Sequence, residues 1–429
     1  MPKLLITNGR VIDPSQNMDC VTNLLVVDGR IAAYDAPSDG SAEEIDATGW
    51  IVAPGLIDIH VHLREPGFED AETIATGTAA AVNGGFTSVA CMPNTDPPID
   101  TQGTVELIRQ MAAAKGHCNV FVVACVSQNR EGKQLAEIGQ LVEAGAVGFS
   151  DDGSPVHDAE LMRRAFEYCK MFDKPVMNHA EVCELSQKGV MHEGLVSLVL
   201  GLTAIPAAAE DVMIARDISL AEATGGRLHV MHVSTVNGVE ALRRAKLRGV
   251  RVTAEVTPHH FTLTDDCLRT FDSNYKMNPP LRGQEHVDTI IAGLKDGTID
   301  CIACDHAPHP KEKKMQELDQ APFGIVGLET SLGLVVTRLI SPGHLDWPTA
   351  LAKMTINPAR ILNLNKGTLQ IEADADITVI DPDVRWQVDP AKLRSKSSNT
   401  PFAGWELQGR AEVVVVGGVV KLRRNALSH

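Results

Sequence analysis

The chain is 429 residues long, 44% hydrophobic and 22% charged, with a formal net charge of −16. This length suits one large domain with a smaller module, and the apolar fraction supplies an ample core, which excludes a disordered chain. The acidic balance argues against a nucleic-acid or anionic-membrane surface but leaves a local cationic pocket open.

The N-terminus, MPKLLITNGRVID, lacks an uninterrupted apolar segment of signal-peptide length, and no run approaches the ~20 apolar residues of a membrane span. Nine cysteines are scattered and odd in number, unlike a disulfide framework. A reducing cytoplasm is the expected compartment. The single C-x-x-C, Cys301 to Cys304, falls in a predicted strand, where residues three apart face opposite sides. It reads as two small strand residues.

In chain order, KLLITNGRVID predicts a hairpin turning at Asn8-Gly9, and NLLVVDGRIAAYD another at Asp28-Gly29. At the far end, ADITVID and AEVVVVGGVVKL are strand-like, with a turn at Gly417-Gly418. The two ends are expected to share one small β-sandwich module, residues 1–53 and 366–429. Two separate β appendages are the alternative.

Between them, over residues 54–365, the pattern alternates strand and helix. Apolar strand candidates occur at LIDIHVH, TSVACMP, VFVVACV, AVGFSDD, PVMNHA, LHVMHV, VRVTAEV and DCIACDH, separated by helix-length stretches such as DAELMRRAFEYCKMF. Eight such units predict an α/β fold, a (β/α)8 TIM-like barrel, whose chemistry lies at the carboxyl ends of its strands. A doubly wound sheet would show a Gly-rich nucleotide turn after an early strand, and none stands there.

The stretch PGLIDIHVHLREP reads as the first barrel strand, delivering two imidazoles at its end. In a regular strand residues two apart share a face, so His60 and His62 point the same way and make half a metal site, or else a hydrogen-bonded pair of core histidines. Later strands end in Asp151 and Asp152, in His179, in His232, and in Asp305 followed by His306. Nitrogen and oxygen ligands gathered on one rim point to a metal centre. His229, three before His232, is expected to face the helices.

The motifs IDIHVHLREPG, MPNTDPP, GFSDDGSPV, NHAE, HVMHVS, TPHHF, MNPPLR, CDHAPH and APFGIVGLET, in this order, resemble class I dihydroorotase of the amidohydrolase superfamily. The resemblance covers nearly the whole chain. It implies Zn2+, two ions per subunit, with His60, His62 and Asp305 on one, His179 and His232 on the other, and Asp152 and a hydroxide bridging them. Hydantoinases bridge with a carboxylated lysine at the end of strand four, and no lysine stands in GFSDDG. Adjacent carboxylates on a regular strand face opposite ways, so only one of Asp151 and Asp152 can enter the barrel; the choice of Asp152 rests on the family match. One departure is Cys304, where the family pattern has threonine; a buried neutral side chain there does little harm.

By the same resemblance Arg64 anchors the carboxylate of dihydroorotate, a role suited to a planar guanidinium. His62, Asn94, Asn278 and His309 offer further contacts, and Phe323-Gly324 a backbone contact to the ring. Asp305 is the implied proton acceptor and donor in the reversible closure of N-carbamoyl-L-aspartate to dihydroorotate and water, the third step of pyrimidine synthesis. A hydantoinase or allantoinase, and a non-catalytic partner of aspartate transcarbamoylase, are the alternatives. The partner expected is a small-molecule substrate, with no nucleic acid and no membrane; a homodimer and a transcarbamoylase complex are compatible with the resemblance. The polar, proline-interrupted segment from His306 to Ile325 reads as a lid.

Overall fold

The computed structural model describes residues 3–424. Its centre is a nearly closed parallel barrel of β1 (Leu56–Val61), β2 (Phe86–Cys91), β3 (Asn119–Ala124), β4 (Ala146–Phe149), β5 (Pro175–Asn178), β6 (Arg227–Val230), β7 (Val252–Val256) and β8 (Cys301–Ile302). Each strand pairs with the next in sequence. The ring is drawn together where the His62 amide donates to the His306 carbonyl at 2.9 Å.

Both β1 and β2 are buried at every residue, as strands covered on both faces must be. One side packs the barrel interior, with Ile57, Ile59, Val123, Met177, Met231 and Ala303 in one cluster. The other side, with Leu56, Phe86, Val122, Val176 and Leu228, packs under the helices. Local signals fix where those helices begin. Thr73 and Thr76 cap Ile74–Gly84 reciprocally, and Asp158 caps Ala159–Met171; loss of such a cap costs about 1 kcal/mol.

Both chain ends enter a second, eight-stranded sheet, in which Ile377–Gln387 pairs antiparallel with Ile51–Pro54, which in turn pairs with Lys3–Asp13. Turns form at Asp28-Gly29 and Gly417-Gly418 as expected. At Asn8-Gly9 none forms. Lys3–Asp13 is one continuous strand, paired with Met18–Val27 on both sides of a register shift between Ile6 and Gly9. Asn8 takes φ 59° inside that bulge, because the apolar residues before and after it, Leu4, Ile6, Val11 and Ile12, are all buried in the same strand. The chain turns instead at Pro14–Asn17.

His229 also differs from expectation. It stands opposite Met177 in the ladder and shares the strand face of Met231, so it lies on the inner face of the barrel. Counting back from His232 fails because β6 stops at Val230 and His232 has φ 34°. Alternation does not continue through such a residue. Among the described residues, no helix is long and apolar enough to cross a membrane.

Candidate metal centre and active site

Beyond the carboxyl ends of the strands, the chain bends so that side chains of unlike parity converge. The β1–β2 register slips between Asp58 and Val61, where the Asp58 carboxylate accepts the His60 amide at 3.0 Å and the Cys304 amide at 2.9 Å. This local irregularity, together with the positive φ of His232 and of Asp305 at 47°, aims the imidazoles and carboxylates at one point.

His62 Nε2 lies 2.9 Å from Asp305 Oδ1, and His60 Nε2 3.4 Å from the same oxygen. Asp152 Oδ1 is 3.7 Å from both His60 Nε2 and His179 Nδ1, while its Oδ2 is 3.5 Å from His62 Nε2. His179 Nδ1 and His232 Nε2 are 3.0 Å apart. Two triads of donor atoms, His60–His62–Asp152 and Asp152–His179–His232, each fall within 4.8 Å and share Asp152.

These residues fit a metal cation. His60 Nε2 is buried, makes no hydrogen bond, and faces two carboxylates, Asp305 at 3.4 Å and Asp152 at 3.7 Å. An orphaned buried nitrogen of this kind is costly unless a cation meets it. The cluster's charges point the same way. Burial opposes charge on His60 and His179, yet Asp305 and Glu255 hold His60 well above its ordinary range, and Asp152 and Glu181 hold His179 at about 10.

Three carboxylates that the sequence did not single out support this shell. Glu255 Oε1 meets His60 Nδ1 at 2.5 Å while its Oε2 meets His229 Nε2 at 3.0 Å. Glu181 Oε2 meets His179 Nε2 at 2.9 Å. Asp58 ties β1 to β8 as described above. Metal-bound imidazoles are oriented through their outer nitrogen in this way. For Glu255 the only sequence signal is an isolated acidic residue inside an apolar strand.

Asp151 and Asp152 part company. Asp151 accepts the amides of Val126 and Ser127 at 2.9 and 3.1 Å and also the Ser127 hydroxyl, so it anchors the loop after β3. Cys301 and Cys304 fall on opposite sides of their segment, inner and outer respectively.

A cavity of about 360 Å3 opens over the cluster and is lined by every residue that the resemblance assigns to metal or substrate except His60. Asn94 Oδ1 meets His62 Nδ1 at 2.8 Å, and Asn94 Nδ2 faces Asp152 at 3.4 Å. Asn278 donates to Glu181 at 2.8 Å. Arg64 donates from Nε to the Pro308 carbonyl at 3.2 Å, and burial lowers its pKa only to about 10, so it stays charged at neutral pH. His309 is kept neutral by burial and by Arg64, near 3. Its Nε2–H donates to the Phe323 carbonyl at 2.7 Å. Gly324, at φ 146°, leaves no room for a Cβ, which would lie 2.7 Å from the Ala307 carbonyl oxygen. Its amide donates to Lys276 O, so both the Phe323 carbonyl and the Gly324 amide are occupied within the protein. A larger cavity of about 540 Å3, beside Trp386 and Arg424, contains none of these groups.

Comparison with known proteins places the chain in a family with this fold. Residues 51–421 match the model of the amidohydrolase family. The chain belongs to that family, a class of metal-dependent hydrolases. Within it, the most similar curated sequences include dihydroorotases. That of Pelotomaculum thermopropionicum is 54% identical and aligns over 98% of this chain and 99% of its own. That of Geobacter metallireducens is 52% identical over 98% of this chain and all of its own. Among solved structures, an L-hydantoinase from Arthrobacter aurescens superposes with a TM-score of 0.89 at 27% identity, covering 99% of this chain and 97% of its own. A D-hydantoinase from Thermus sp. gives 0.81 at 28%, covering 98% and 95%.

Proposed function

We propose that the protein is a dihydroorotase that closes N-carbamoyl-L-aspartate to (S)-dihydroorotate and water, reversibly, as the third step of pyrimidine synthesis. The observation that carries the reading is Asp152 at the centre of the cluster, in the position where hydantoinases place a bridging lysine. Sequence identity near one half to dihydroorotases supports it, against about one quarter to hydantoinases. We assign the metal as zinc, two ions per subunit: His60, His62 and Asp305 would hold one, His179 and His232 the other, and Asp152 would serve both sets. When bound, they supply Lewis acidity toward the amide carbonyl and an activated water.

The chain's own groups do the rest. Arg64 is charged and fixed by Pro308, so it meets the substrate carboxylate with little reorganisation. Asn94, held by His62, and Asn278, held by Glu181, line the cavity in which the ring would lie. Burial works against the charge on Asp305, but His60 and His62 outweigh it and keep the carboxyl ionised, the form in which it can accept a proton from the activated water. In ring opening it passes that proton to the departing nitrogen; in closure it takes it back. All nine cysteines are unpaired, which supports a cytoplasmic setting.

The test is turnover of purified protein with dihydroorotate, N-carbamoyl-L-aspartate, hydantoin and allantoin, alongside metal analysis. Dihydroorotate should be opened and carbamoylaspartate closed. Turnover of hydantoin with none of dihydroorotate would overturn the assignment.

A further inference from the structure

The segment from His306 to Ile325 is polar enough to read as a lid, yet its most hydrophilic stretch carries a buried lysine. Lys311 and Lys313 are exposed, whereas Lys314 is only 5% exposed. Its ammonium donates to the carbonyls of Pro322 at 3.0 Å and Gly324 at 3.1 Å, and reaches Lys276 O at 3.5 Å. No carboxylate lies within ion-pair distance of it among the described residues. Burying an ammonium without an anion is unfavourable unless fixed dipoles replace its water. Here three carbonyls do so, and burial still pushes its pKa down to about 7.

A second anchor comes from far along the chain. Asn399 lies in the connection that follows Ile377–Gln387 and is 5% exposed. Its Nδ2 donates to Ala307 O and Gly324 O, both at 3.0 Å, and its Oδ1 accepts the His309 amide at 3.1 Å. Its own carbonyl accepts the Val326 amide at 3.0 Å. Lys314 and Asn399 therefore meet on one atom, the Gly324 carbonyl oxygen. Lys276 adds its ammonium over the Phe323 ring, 4.7 Å from the centroid.

We propose that Lys314 and Asn399 are positioning residues that jointly fix the Pro322–Gly324 backbone and the His309 imidazole, making this wall of the cavity rigid before substrate arrives rather than a lid that closes on it. Neither side chain lines the cavity, so each acts through His309 and Gly324. The inference rests on the reading that the cavity lined by His309 and Gly324 is where dihydroorotate binds. Groups held in place beforehand lose less freedom on binding, which lowers KM more than it raises kcat.

The experiment compares the metal-loaded wild type with Lys314→Met, Asn399→Leu and the double variant. In ligand-free protein, amide exchange over residues 306–326 should be slow in the wild type and at least about tenfold faster in each single variant. KM for dihydroorotate should rise about tenfold with a smaller change in kcat and unchanged metal content. The double variant should fall short of the product of the two single effects, because both act on Gly324 O. Unchanged exchange in both variants, or a loss confined to kcat, overturns the proposal. So does wild-type exchange over 306–326 that is fast until a substrate analogue is added. Should Asn399→Leu fail to fold, Asn399→Asp keeps the size and the acceptor for His309 but removes both donors, and the same exchange result decides. If the wild type does not turn over dihydroorotate, the assigned reaction fails, while exchange in the ligand-free protein still decides whether the wall is pinned.

Discussion

His60 and Glu255 are joined at 2.5 Å through Nδ1 and Oε1, and that contact determines which nitrogen of His60 faces the metal centre. Although burial disfavours its charge, His60 and His229 hold Glu255 down to about 2, so it is a carboxylate and can only accept. Nδ1 must then carry a proton, which leaves Nε2 as the nitrogen turned to the cluster and the one that would meet a metal. His229 completes the chain, with Nδ1 2.9 Å from the Thr253 hydroxyl.

Glu255→Gln tests this relationship. An amide can donate to Nδ1 and so favour the wrong tautomer, and metal affinity should fall about 10- to 100-fold. Chelator competition on the purified protein measures it. Wild-type affinity in the variant would show that Glu255 has no part in orienting His60.

Asp305→Asn keeps the shape and one oxygen but removes the proton acceptor. Turnover of dihydroorotate should drop by ~10²-fold or more with the fold intact. A variant within a few-fold of wild type would remove Asp305 from the proposed proton transfer.

The adjacent aspartates should separate cleanly. Asp152→Ala should lose metal and activity together, since Asp152 is shared by the His60–His62 and the His179–His232 donor triads. Asp151→Ala strands two buried amides and a hydroxyl, so about 1–3 kcal/mol of stability should go while metal content stays. Comparing metal per subunit with urea midpoints distinguishes them; equal metal loss from both would mean that Asp151 also binds.

Lys314 gives a pH dependence with a defined sign. Its pKa is depressed in the folded state, to about 7 from 10.5, chiefly by burial and then by Lys276. Between those values the unfolded chain binds the extra proton, so the contribution of Lys314 to folding stability rises with pH over that window. Below about pH 7 both states are protonated and the full burial penalty remains. The unfolding free energy of the wild type relative to Lys314→Met should therefore increase from pH 7 to pH 9.5 in paired urea titrations. A difference that is flat or falls with pH would show the ammonium to be less buried than the structure has it.

The sequence by itself determined the repeating strand–helix order of the barrel and the rim at which its ligands gather. Both follow from local rules, because an apolar run bounded by turn residues is a buried strand wherever it stands, and the residues after it must leave at the carboxyl end. Which way each side chain points there was a tertiary matter. His60 and His62 reach one centre through a slipped register, His232 and Asp305 through left-handed backbone, and His229 faces inward where simple alternation put it outward. Asn8-Gly9 is likewise a turn by its own chemistry and a bulge in the fold, because burial of Leu4 and Val11 in one strand outweighs the local preference. Lys314 and Asn399 carry no local signal at all, and Glu255 only that of an acidic residue inside an apolar strand. What each of them does depends on a partner, His60, Gly324 or His309, that only the folded chain brings within hydrogen-bond distance.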